Sequence, residues 1–217
     1  MSAWFLALFS LFSTDIPSVR PVVPKAELAV YLTVSPNQPA APLDAMKREL
    51  SSLMDAAGYR ILWRDPDSPE KGGESADVAM LELRGSCGLP SGSYRVERAV
   101  SSGASLAQTS VNEQGVLPFS WVNCAELTRM LGPALYGEAP AQRDYLYGRA
   151  VARAVAHEFY HVMMRSRGHG HEGLARPRFT VGDLLDERFN FDSDSVNQLR
   201  QRAVDADAVG SEPATGR

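Results

Sequence analysis

HEFYHVMMRSRGHGHEGLAR, running from His157 to Arg176, is the stretch on which the reading of this chain turns. It holds all four histidines, at positions 157, 161, 169 and 171. Its first five residues fit the pattern H-E-x-x-H. On an α-helix, positions i and i+4 lie about 40° apart and one turn of rise apart, so His157 and His161 can aim their imidazoles at one point. Glu158, one residue round, is badly placed as a ligand but well placed to take a proton from water beside a metal. The expectation is therefore a zinc site with a built-in general base.

Catalytic zinc takes three protein ligands and keeps one open position, so the chain must turn back beyond the helix. Gly168 is expected to close the helix in the left-handed conformation. His169 then follows at once as the preferred third ligand. His171 and Glu187 stay open as alternatives, the latter from the Asp183–Glu187 segment. Asp183 or Asp186 could accept the Nδ1 proton of a ligand histidine. Arg165, Arg167, Arg176 and Arg178 crowd the same region. They either complement a helix C-terminus or favour an acidic substrate. Tyr160 is expected to pack rather than to act.

Upstream, the apolar spacing Tyr145, Leu146, Val151, Ala154, Val155, Phe159, Val162 and Met163 places the motif on a helix over about 141–165. Ahead of it, Asn123 is expected to cap a helix through Leu135, with Gly132-Pro133 distorting it or ending it early. Leu106 to Val111 and Val116 to Phe119 read as a hairpin around Glu113-Gln114-Gly115, and the first of these as an edge strand. Earlier still come strands over 26–34, 59–63 and 77–83, with an amphipathic helix over 43–57 closed by Gly58. A helix between the first two strands implies a parallel pair covered by that helix. Residues 65–76 and 86–105 read as loops, and the tail beyond Asp192 as mobile. The fold expected is α+β: a mixed sheet of about four to five strands, packed on a backing helix and on the HExxH helix, within a domain over 26–190.

At 217 residues, 44% hydrophobic and 22% charged, the chain can bury one core. A net charge of −4 argues against a nucleic-acid binder. No run approaches the roughly 18 to 20 apolar residues of a membrane span. Ala3 to Phe12 is long enough for a signal-peptide core, so a leader is expected over 1–14. No Lys or Arg precedes it, however, and Leu11 stands where cleavage after Ser13 would prefer a small residue. Cys87 and Cys124, an even count outside any C-x-x-C, are expected to form one disulfide in an oxidising compartment, secreted or periplasmic.

With these residues in view, the chain resembles the zincin superfamily of metallopeptidases, nearer its metzincin branch, whose motif HExxHxxGxxH precedes a Met-turn. It is also similar to uncharacterised exported bacterial zincin-like proteins with HExxH, a histidine eight residues on, and a Gly-Leu-Met, here Gly173-Leu174-Ala175. Met164 replaces the metzincin glycine, the third histidine comes two residues late, and Ala175 stands where the methionine would be. The close likeness covers about 20 residues. It implies Zn2+ on His157, His161 and His169, Glu158 as base, and a peptide or protein substrate added to a sheet edge of a monomer. The other reading is a catalytically silent zincin-like domain that binds zinc or a partner.

Overall fold

The computed structural model describes residues 25–67, 77–90 and 104–210. The expected leader, most of the 65–76 loop, the middle of the 86–105 stretch and residues 211–217 lie outside them. Five strands, β1 (Ala26–Thr33), β2 (Tyr59–Arg64), β3 (Asp77–Arg84), β4 (Ala107–Asn112) and β5 (Gly115–Asn123), form one sheet in the order β2-β1-β3-β5-β4. The first four in that order run parallel; only the edge strand β4 is antiparallel. This is the mixed sheet expected, with five strands and the predicted parallel β1–β2 pair.

Alternation fixes which face is covered. Ala79, Leu81 and Leu83 of β3 point inward with Leu28 and Val30 of β1, while Val78 and Phe119 face out. Two helices lie side by side on the inner face: α1 (Ala40–Ala56) against β2, and α3 (Pro140–Met164) against β4 and β5. α1 begins three residues earlier than its apolar spacing suggests, because Pro42 sits in the first turn, where no N–H is required. Met46, Leu50, Leu53 and Met54 form its buried stripe, each contributing about 1.5–3 kcal/mol of transfer free energy. Asn123 caps α2 (Cys124–Leu135) by accepting from the Glu126 N–H. That helix runs on past Pro133 instead of ending early.

α1 and α3 meet almost backbone to backbone at Gly148. A Cβ there would lie 2.4 Å from the Pro42 carbonyl oxygen and 2.6 Å from Ala45 Cβ. Gly148→Ala should therefore destabilise the protein by about 2 kcal/mol, read in urea melts, although alanine is the better helix former.

α3 is not the amphipathic helix its spacing suggests. Every residue from Tyr147 to Met163 is buried. Arg149 and Arg153, outside the expected apolar stripe, also point into the interior, toward Glu49 of α1. Arg153 donates to the carbonyls of Asp183 and Leu184, and Arg149 to that of Leu185. They thereby satisfy the free carbonyls at the end of the short helix α4 (Val181–Leu185). Burial pushes the Arg153 pKa down, opposed by the charge of Glu49.

The segment expected to be a mobile tail is corrected. Residues Ser193–Gly210 form α5, capped by Asp192, which accepts from the Ser195 N–H. Leu199 and Ala203 are buried. Arg200 donates to the Ala56 carbonyl and Arg202 to that of Met163, which fastens the helix to the ends of α1 and α3. The polar composition of the segment hides an apolar spacing of four.

Cys87 and Cys124 form the expected disulfide, joining the chain just past β3 to the start of α2. No helix among the described residues is long and apolar enough to cross a membrane.

Candidate metal centre

α3 ends at Arg165, not at Gly168. Arg165 takes the left-handed conformation at φ 48°, with its N–H donating to the Val162 carbonyl and the Ser166 N–H to that of His161. This reciprocal pair of bonds is a Schellman closure. It turns the Ser166 carbonyl back over the last helical turn, where it meets Nδ1 of His161 at 2.8 Å.

The following loop returns His169 to the helix. Gly170 donates its N–H to the Ala175 carbonyl and lies so close to Ala175 that a Cβ would approach that methyl to 2.8 Å. A 3-10 turn, Gly173–Ala175, then runs beneath His157. Gly173 has φ 58°, and a Cβ on it would strike the Asn190 carbonyl oxygen at 2.4 Å. The turn thus needs glycine on two counts. Its product is the Leu174 carbonyl, 2.8 Å from Nδ1 of His157.

These two carbonyls settle the imidazole chemistry. A carbonyl only accepts, so each Nδ1 carries the proton and each Nε2 presents a lone pair. The two Nε2 atoms face each other at 3.3 Å. His169 joins them, its ring stacked on His157 at 5.3 Å and edge-on to His161 at 4.7 Å. The ligand atoms of His157, His161 and His169 all lie within 4.8 Å of one another. Facing lone pairs repel unless a cation shares them, so the donor set suits a borderline-soft divalent ion. Burial pushes the His157 pKa down to about 4, partly opposed by the Leu174 carbonyl, and lowers that of His161 as well. Both rings are thereby held neutral, the form that binds metal.

The structure places the other candidates outside this cluster. His171 is exposed and outside the cluster. Glu187 is paired with Arg149, with its side chain 80% exposed. Asp183 closes a capping box with Thr180 and pairs with Arg176, and the Nδ1 partners of His157 and His161 are backbone carbonyls rather than Asp183 or Asp186. Tyr160 packs, as expected, buried near Phe191.

Glu158 is 5% exposed. Its Oε2 accepts a 2.7 Å hydrogen bond from the Thr109 hydroxyl, which also lies 3.0 Å from Ser120 Oγ. Burial raises the Glu158 pKa, and the bond from Thr109 opposes the rise. Thr109 is the site residue that sequence reading missed. It lies on β4 directly opposite Ser120, and beyond it the β4–β5 register slips, with Val111 next opposite Val116. Pro118, which has no N–H for the ladder, falls in that slip.

The cluster opens into a cleft of about 790 Å³. Residues Ala104 to Thr109 line one side, the histidines and Glu158 form the floor, and Pro177 to Phe179 form the other wall. Phe179 stands edge-on against His157 at 5.2 Å. β4 pairs only with β5 among the described residues, so its other edge is available along the cleft. Comparison with protein-family models and with curated proteins finds no match for this chain.

Proposed function

We propose that the protein is a zinc-dependent peptidase of zincin-like fold, working in an oxidising compartment. The observation that carries this reading is the pair of Nε2 lone pairs 3.3 Å apart, completed by His169 and flanked by a buried carboxylate. His157, His161 and His169 would hold the ion. When bound, it supplies Lewis acidity that activates water and polarises a carbonyl.

The chain's own residues do the rest. Thr109 occupies Oε2 of Glu158, which leaves Oε1 to take the proton of the attacking water and pass it to the leaving amine. An extended peptide would add to the open edge of β4, its main chain pairing with the strand across the histidines. The cleft volume suits a few residues of extended peptide rather than a folded partner. The Cys87–Cys124 bond supports export, since such bonds rarely persist in reducing cytosol.

Metal analysis of the purified protein tests the centre. Wild type should carry about one equivalent of zinc, as should His171→Ala and Glu187→Ala, whereas His157→Ala, His161→Ala and His169→Ala should each lose it. Retention by the His169 variant would refute the ligand set. Wild type that holds zinc but cleaves nothing in a broad peptide library would leave the silent binding domain as the better reading.

Thr109 gives a finer test. Thr109→Val removes the hydroxyl but keeps the shape, and should lower kcat about tenfold with zinc content unchanged. Thr109→Ser should restore most of the loss. Equal loss in both variants would mean that packing, not the hydrogen bond, is what matters.

A further inference from the structure

We infer that the cleft selects peptide segments carrying carboxylates near the scissile bond, and that Arg167 and Arg178 are the residues that read them. This rests on the peptidase reading for the position of the scissile bond, but the charge pattern itself belongs to the cleft. Apart from the histidines, the charged residues lining the cleft among the described residues are Glu158, Arg167 and Arg178. Glu158 lies at the floor, with one oxygen held by Thr109. Both arginines are exposed, and neither has a carboxylate partner among the described residues. The cleft mouth therefore presents two guanidinium groups in a protein whose net charge is −4. Such local reversal concentrates oppositely charged ligands at the cleft rather than elsewhere on the surface.

The Arg167 guanidinium and the Arg178 backbone are held in place. Arg167 Nη2 donates to the Asn112 carbonyl at 2.9 Å, which ties it to the end of β4 and leaves its other N–H groups without a partner among the described residues. The Arg178 backbone is fixed through its carbonyl, which accepts from Arg176 Nε at 2.9 Å, and Arg176 is itself paired with Asp183. A guanidinium positioned before the ligand arrives loses less rotamer freedom on forming a bidentate pair with a carboxylate.

The register supplies a distance. Glu158 contacts Thr109, so the reacting bond lies level with that residue of the strand. Asn112, where Arg167 is tethered, is three residues on, or about 10 Å. An acidic side chain two or three residues from the scissile bond, on the Asn112 side, would meet Arg167. Arg178, beside the Phe179 that packs on His157, would read a second carboxylate closer in.

The test uses the zinc-loaded full chain and short fluorescent peptides in pairs, identical except for Glu or Gln at those positions. Wild type should favour the Glu peptide by about five- to tenfold in kcat/KM, with the ratio falling as salt is raised. Arg167→Ala/Arg178→Ala should bring the ratio to about one, whereas Arg48→Ala, an exposed arginine of α1, should keep it. Binding of the same peptides to the Glu158→Gln variant, followed by anisotropy, reads the preference without chemistry. If wild type cleaves neither peptide but this variant still prefers the Glu peptide through the two arginines, peptidase activity fails and the selectivity stands. Equal cleavage and equal binding of the two peptides would overturn the selectivity while leaving the peptidase reading intact. Binding of neither would overturn the selectivity too.

Discussion

Glu158→Gln should keep its zinc and slow peptide hydrolysis by about 10²- to 10⁴-fold, the usual contribution of a positioned general base. The substitution is nearly isosteric, and the amide oxygen can still accept the bond that Thr109 gives to Oε2. The histidines and their carbonyl partners, Leu174 and Ser166, are untouched. What would disappear, on the proposed mechanism, is the acceptor for the proton of the attacking water. Measured together, metal content and kcat separate this loss from collapse of the site. Unchanged kcat would remove Glu158 from the mechanism, and loss of zinc would make it part of the metal's support instead.

Acid should be the second large lever. His157 has a pKa of about 4 in the folded protein, against an ordinary 6.5. Between those values the unfolded chain binds the proton and the folded one does not, so acid favours unfolding. In metal-free protein the stabilisation associated with neutral His157 is complete above about pH 6.5. It is lost progressively down to about pH 4, a total of about 3 kcal/mol. His161, lowered by the same burial, acts in the same direction. Glu158 acts oppositely, because its raised pKa lets the folded state take up a proton first and shed the cost of burying a charge. Urea melts in the presence of chelator, at pH 7 and pH 4.5, should show a net loss. With zinc present, protons compete for the same Nε2 lone pairs, so excess zinc should move the acid midpoint downward. A midpoint independent of zinc would mean that these histidines do not bind it.

Much of the scaffold could be read from periodicity. The alternation of β3 and the spacing of Met46, Leu50, Leu53 and Met54 give the right elements with the right faces inward. The motif helix could be read as well, and so could the three histidines that the fold brings together, because imidazole is scarce in this chain. The features that went unseen share a cause: their partners are backbone atoms or residues distant in sequence. Arg149 and Arg153 lie outside the expected apolar stripe, and only the free carbonyls of α4 make their burial tolerable. Leu174 and Ser166 orient His157 and His161 through carbonyls, which every residue possesses and no pattern marks. Gly168 looked like the helix terminator, yet Arg165 adopts the left-handed conformation because two terminal hydrogen bonds hold it there. Thr109 lies on a short strand of weak alternation, AQTSVN, where nothing marks one hydroxyl as pointing at a carboxylate.

The Cys87–Cys124 bond closes a covalent ring that contains β4, β5 and therefore Thr109. A single backbone cut anywhere between those cysteines opens the ring but cannot release either piece. The nicked chain would run as one band without reductant and as two with it. The wall of the cleft built from β4 would stay tethered to the helix that carries His157 and His161.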